Sequence, residues 1–383
     1  MTAMGPLAGV RVIEIAGIGP APFCGMLLAD MGAEVVRVDR LTPSDLGIET
    51  PVKYDLFNRN KRSVAIDLKS NEGVAIALRL IEKADILIEG FRPGVMEKLG
   101  LGPDVCFKAN PCLVFGRMTG WGQDGPLSQV AGHDLNYIAL TGALAAIGRN
   151  GQAPAVPLNL IGDFGGGALY LAMGVLAATI EASRSGRGQI VDAAIVDGSA
   201  SLMTMFHSFL QMGAWATERG VNIIDGGAPF YDVYETSDGK FVSVAAVEAK
   251  FYGELIKRMG FAPESLPRQH DRKRWPELRA RFAEAFKTRT RDEWCVLLEG
   301  TDACFAPVLD LVECRSHPHI AARNIHQTID GVINPAPAPR FSRTPGRIAH
   351  PATPAGAATV QVLEFWGVPR EEIARIMASG VAR

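Results

Sequence analysis

The chain has 383 residues, of which 48% are apolar and 21% charged, and its formal net charge is −2. That length exceeds one ordinary core and predicts two domains. The charge balance excludes a protein held to nucleic acid or to an anionic membrane by bulk charge.

Six cysteines, at positions 24, 106, 112, 295, 304 and 314, form no CxxC and no paired framework, which points to a reducing cytoplasm. The first seven residues carry no basic region followed by an apolar run, so no signal peptide is expected, and Val381-Ala-Arg383 is not a peroxisomal tripeptide.

Residues 10–16 read as a buried strand closed by Gly17-Ile-Gly-Pro20, with a helix over 21–31 and a second strand over 34–39. A third strand is expected over 63–68, a helix over 72–83, and further strands over 86–89 and 113–116. Strands alternating with helices imply β-α-β units, hence a doubly wound parallel α/β sheet whose ligands sit beyond the carboxyl ends of the strands. Gly17 and Gly19 begin a dinucleotide fingerprint, and Asp39 stands where an NAD enzyme keeps its ribose-binding acid. Position 22, however, is Pro22 where the third glycine belongs. The other reading is a tight strand-to-helix turn with prolines opening the helix.

A helical pattern runs over 134–146, and a long apolar helix over 164–183 has three consecutive glycines in its first turn. Residues 164–180 are seventeen without a charge, short of the ~20 of a membrane span. Asp163 and the glycines at its head favour a buried helix, and no membrane partner is expected. A turn and strand follow at 186–192, then a helix over 198–212 rich in methionine, which fills core gaps or adapts to an acyl chain. Residues 230–235, Thr236-Ser-Asp-Gly239 and residues 240–246 form a hairpin pattern with an Asp-Gly turn. Helices are expected over 250–259, 273–286 and 290–299, a proline-rich connection over 332–340, and a helical tail over 357–378. The domains are thus a large α/β domain, 1–200, completed by 330–383; a linker, 201–224; a small α+β domain, 225–325; and 326–383 as the return linker and C-terminal part of the large domain.

Three titratable groups stand at helix starts. His133 opens the 134–146 pattern. Asp163 heads the glycine-rich helix, where it could equally be an N-cap drawing amides from Gly165–Gly167, and Glu248 could equally be a first-turn acid. An imidazole and a carboxylate facing each other across a ligand can instead move a proton off one face of a carbon and onto the other. A pocket formed by Phe164, Leu169 and Tyr170 would desolvate Asp163 and make it a better base, and free amides at the glycine run would steady an oxyanion. His317-Pro-His319 has no third ligand nearby and reads as a loop; no metal site is expected.

Several stretches, in order and in both domains, resemble the α-methylacyl-CoA racemases of the family III CoA-transferase superfamily. They include residues 14–20, 25–40, 61–69, Glu89-Gly-Phe-Arg-Pro-Gly94, Ala131-Gly-His-Asp-Leu-Asn-Tyr137, Asp163-Phe-Gly-Gly-Gly167, Asp225-Gly-Gly-Ala-Pro-Phe-Tyr231, 247–252 and 300–304. The resemblance implies that His133 and Asp163 are the acid/base pair at C2 of a 2-methylacyl-CoA thioester, with Glu248 supporting the histidine. It implies that Gly132, Asp134, Leu135, Asn136 and Tyr137 line the thioester and pantetheine. Arg40, Ile66, Asp67, Leu68, Lys69, Glu89, Gly90, Phe91 and Arg92 would form the CoA-binding edge. CoA is then part of the substrate, with no separate cofactor, and the chain an interlocked-ring homodimer in which Glu248 serves its own or the partner's site. A transferase of the superfamily would use the aspartate at 163 as a nucleophile and lack the Gly-His-Asp motif. Where many relatives carry Gly-x-His-Thr, residues 354–359 read Pro-Ala-Gly-Ala-Ala-Thr, which implies a different CoA contact there.

Overall fold

The structure is a computed structural model, and it describes residues 5–42 and 47–383. The first four residues of the N-terminal stretch, read above as lacking a signal, lie outside the described residues. The chain divides into two compact units, one formed by Met1–Thr141, Leu158–Leu202 and Asn324–Arg383, the other by Gly142–Pro157 and Met203–Arg323. Residues 142–157, assigned from sequence to the large domain, cluster with the second unit.

The first unit is built on six parallel strands: β1 (Arg11–Ile15), β2 (Glu34–Asp39), β3 (Arg62–Ala65), β4 (Ile86–Glu89), β5 (Val114–Thr119) and β6 (Gln189–Ala194), in the order β3-β2-β1-β4-β5-β6. Successive side chains go to opposite faces. Ile13, Leu87 and Phe115 join one core, with Trp366, Ile373 and Ile376 of the C-terminal helices Thr359–Phe365 and Arg370–Ser379. Val12, Ile86, Ile88 and Val114 join the other, under Leu28, Leu171 and Val175. Burial on both faces is what gives these strands their continuous apolar runs. Gly116 brings the long helix Leu169–Ser185 onto β5: a Cβ there would lie 2.9 Å from Val175.

That helix begins differently from the sequence expectation. Residues Leu160–Ala168 form a π-helical turn that runs into it, and Asp163 lies inside that turn. The continuous Leu160–Ser185 element has the length and apolarity of a membrane span, with 39% of its most apolar window buried; Leu171, Val175 and Ala178 are buried in the core on the sheet. Gly142, at φ 82°, ends the 134–146 pattern early, leaving helices Asp134–Leu140 and Ala143–Ala146. The 198–212 pattern likewise splits into Ile195–Leu202 and Thr204–Gln211, the second of these inside the expected linker. The proline-rich segment after 325 contains a hairpin, His326–Ile329 against Val332–Pro335, whose Asp330 and Gly331 both have positive φ.

In the second unit β7 (Tyr231–Glu235) and β8 (Phe241–Ala245) form the expected hairpin, and β9 (Phe305–Val308) joins β8 antiparallel. Helices Ala249–Arg258, Trp275–Phe286 and Arg291–Leu298 bury Tyr252, Phe282, Phe286 and Trp294 with Phe230 and Tyr234 of the sheet. Thr290 caps the last of these, its Oγ1 accepting from the Glu293 amide at 3.3 Å.

Candidate active site

In the order β3-β2-β1-β4-β5-β6 the chain reverses direction between β1 and β4, and the segments leaving those two strands part. A crevice at the carboxyl ends of the strands is the consequence. A cavity of about 440 Å³ occupies it. Ile18, Gly19 and Pro20 come from the end of β1, Gly90–Pro93 from β4, and Thr119, Gly120 and Trp121 from β5. His133, Tyr137 and Asp163 close it from the segments beyond. The two groups separated by thirty residues of chain therefore border one space.

His133 is the N-cap residue of Asp134–Leu140, in extended conformation, and its amide donates to Asn136 Oδ1 at 3.1 Å. Its neighbourhood is set by Tyr137, whose hydroxyl donates to the Gly132 carbonyl and whose ring meets Trp121 edge-on at 4.7 Å. Gly120 has to be glycine for this, because a Cβ there would lie 2.0 Å from the Tyr137 ring. Burial, then the Asp163 charge, push the Tyr137 hydroxyl up, while Arg92 draws it down.

Asp163 is not an N-cap. Its Oδ2 accepts from Asn159 Nδ2 at 3.1 Å, and the glycine amides it was expected to hold lie farther into the π turn. The turn is capped instead by Asp134, whose Oδ1 accepts the Asp163 amide at 2.6 Å. Burial raises the Asp163 carboxyl above the usual Asp range; Asn159 opposes this, the Asp134 charge adds to it, and the His133 imidazole lowers it again. The desolvating wall is not the expected one. Phe164 packs with Phe23 and Phe57, Leu169 is exposed, and Tyr170 donates to Ser201. Gly19 supplies the approach instead, its would-be Cβ 3.8 Å from Asp163 Oδ2. The glycine run serves helix packing: a Cβ on Gly166 would stand 2.5 Å from Ser199 Oγ of the Ile195–Leu202 helix.

Of the remaining predicted residues, Gly90, Phe91, Arg92, Gly132 and Tyr137 line the cavity, and Asp134, Leu135 and Asn136 do not. Glu89 is fully buried beneath it, accepting the Phe91 amide at 2.7 Å and Arg117 Nε at 3.0 Å, and burial pushes its carboxyl up to about 7. Arg40 is exposed at the end of β2. Ile66 lies in the core, bridged to Ala382, and the Asp67 amide donates to the Val381 carbonyl, so only Asp67, Leu68 and Lys69 of that stretch reach the surface. Glu248 belongs to the second unit, exposed at the start of Ala249–Arg258 and close enough to Cys304 to raise its thiol. Trp121 and Asn159 were missed in the sequence. The signal available for Trp121 was the Gly-Trp-Gly run directly after β5.

The family model described as CoA-transferase family III matches residues 7–359. The chain belongs to that family. It is 47% identical to the alpha-methylacyl-CoA racemase of Mus musculus, over 97% of this chain and 96% of that protein. The racemase of Homo sapiens is 43% identical, over 96% and 95% of the two chains. The fold matches a CAIB/BAIF family protein from Brucella suis with a TM-score of 0.81 at 23% identity, covering 95% of this chain and all of that one.

Membership of family III agrees with the fate of the half-met nucleotide fingerprint. Asp39 accepts Arg37 Nε at 2.7 Å and Ser63 Oγ at 2.5 Å, so the acid that a ribose would need is already engaged. Gly19 adopts φ 72° and Pro20 opens the helix, the tight turn that the prolines suggest. Among the described residues no three His, Cys, Asp or Glu side chains gather as a metal site, and His317 pairs with Glu299 at 2.6 Å.

Proposed function

We propose that this family III chain is a racemase that inverts C2 of 2-methylacyl-CoA thioesters, with His133 and Asp163 on opposite sides of the reacting carbon. The observation that carries the reading is the pair itself: both line one cavity, and the imidazole bears electrostatically on the carboxyl. Full-length relatives named as racemases support it. One group takes the α-proton, and the conjugate acid of the other returns one to the far face. The raised affinity of Asp163 for a proton suits both duties. Side chains carry the proton, so the scheme requires no separate cofactor. CoA serves as a handle whose binding energy positions C2.

The substrate is proposed to enter along the carboxyl edge of the sheet, past Gly90–Arg92 toward Arg40 and Lys69. We propose also a homodimer of interlocked chains, in which Glu248 serves the histidine of its own or the partner's site. The exposed faces of Leu140, Leu169 and Met173, 66%, 52% and 61% accessible, favour burial against a second copy. Free cysteines at all six positions suit a cytoplasmic location.

A single C2 epimer incubated with the protein in heavy water should give both epimers with deuterium at C2. His133→Ala and Asp163→Ala should each slow this by about 10²–10⁴-fold. The family name supports the rival, in which Asp163 attacks the thioester carbonyl and CoA leaves. CoA passing to a free carboxylic acid, without exchange or inversion, would establish that rival instead.

A further inference from the structure

The second unit contains a cavity that the proposed chemistry does not use. It encloses about 670 Å³, within the range of sites for small organic ligands. One wall is the face of the Trp275–Phe286 helix that carries Pro276, Arg279, Ala280 and Ala283; opposite lie Arg149, Val221 and the Gly226-Gly227 backbone. Three guanidinium groups, those of Arg149, Arg272 and Arg279, line it, and no carboxylate does.

The nearby acids are already committed. Asp232, its side chain only 3% exposed, takes Arg149 on one oxygen and Arg279 on the other. Asp225 accepts the amides of Gly220, Asn222 and Gly227. Arg279 spends Nη2 on the carbonyls of Gly226 and Gly227, at 2.8 and 2.7 Å. Arg149 keeps its Nε and Nη2 hydrogens, and Arg272 lies over the Trp275 ring at 5.4 Å with no ion pair among the described residues.

Burial and the neighbouring Arg149 charge both weaken the hold of Arg279 on its proton. Arg279 is held by Asp232, which also holds Arg149, so one carboxylate faces three guanidiniums that stay charged at ordinary pH. The first turn of the Trp275–Phe286 helix, whose Trp275 and Pro276 line the cavity, has no side-chain cap.

We propose that this cavity binds a phosphorylated organic anion, its phosphate held by Arg149 and Arg272 and its apolar body lying along Val221, Ala280 and Ala283. A dianion is preferred to a carboxylate because Asp232 alone faces Arg149 and Arg279, Arg272 has no ion pair among the described residues, and the free edges of Arg149 and Arg272 fit phosphate oxygens.

Calorimetric titration of the full chain with phenyl phosphate tests this, with benzyl alcohol as the uncharged comparison. Phenyl phosphate should bind saturably at one site per chain, and benzyl alcohol should not bind. Arg272→Gln leaves the Asp232 pairs in place, so its unfolding midpoint should match that of the parent while phenyl phosphate binds at least ~10-fold more weakly. Arg40→Gln, at the CoA edge of the other unit, should bind it normally. Absence of saturable binding, undiminished binding by Arg272→Gln, or loss in Arg40→Gln alone would each overturn the assignment.

Discussion

Asp134 offers a way to separate the shape of the Asp163 turn from its electrostatics. Its Oδ1 accepts the amide of Asp163, while its Oδ2 is buried with no partner. Asp134→Ala leaves that amide without its acceptor, so a loss of about 1–3 kcal/mol is expected. Asp134→Asn keeps an acceptor at Oδ1 and exchanges the unpartnered oxygen for an unpartnered NH₂. It loses only the charged share of that hydrogen bond, about 0.5–1 kcal/mol. The Asn variant also removes the negative charge that helps raise the Asp163 carboxyl. Asp163 then stays ionised to lower pH, and the acid limb of deuterium uptake at C2 should move to lower pH, with the turn intact. Denaturant midpoints and the pH profile of exchange measure the two effects. Equal stability in the Ala and Asn variants, or an acid limb that stays put in Asn, would refute the capping and charge roles together.

Gly25→Ala would put a Cβ 1.8 Å from Glu14 Oε2, prising apart the buried Lys61–Glu14 pair, 2.7 Å long; a loss of about 3–5 kcal/mol in denaturant unfolding is expected, and a change under ~1 kcal/mol would contradict the packing. Glu89, with an ordinary value of 4.5 raised to about 7 in the fold, binds its proton more tightly when folded, so its contribution is full below about 4.5 and is lost as pH rises through about 7. Glu89→Gln should therefore gain on the parent across that window, by up to about 3 kcal/mol; a relative loss as pH rises would show that the Arg117 pair outweighs burial. Gly120→Ala should displace Tyr137 and slow C2 exchange by more than about tenfold with little loss of thioester affinity, read as kcat falling while KM holds.

Much of the α/β unit was legible because its strands are buried on both faces. Val35, Val36 and Val38 stand out in 34–39 and Ile86-Leu-Ile88 in 86–89, and the strands fall there. The 231–245 hairpin was legible through its Asp-Gly turn. The same dipeptide at Asp330-Gly331 was obscured by the prolines that follow Pro335, although those prolines lie beyond the paired residues. Hydrophobic spacing could not distinguish a π turn at 160–168 from the α-helix it enters, since both bury one side against the same elements. Nor could it show that Asp134 caps a turn twenty-nine positions away, because nothing local marks a partner at that distance. His133 and Asp163 could be singled out by residue type and resemblance, but their common cavity follows from where β1 and β4 part.

The first unit is assembled from three separated lengths of chain, the last ending in Val381 and Ala382 against Ile66 and Asp67. During synthesis the inserted unit is complete long before that final length emerges, so it can fold while the parallel sheet still waits for its covering helices. In that interval Trp366, Ile373 and Ile376 are absent from the face they will cover, and the strands there present bare apolar surface. Translation pauses in the codons for residues 324–383 would prolong that exposure, and would be expected to cost soluble yield far more than pauses within the inserted unit.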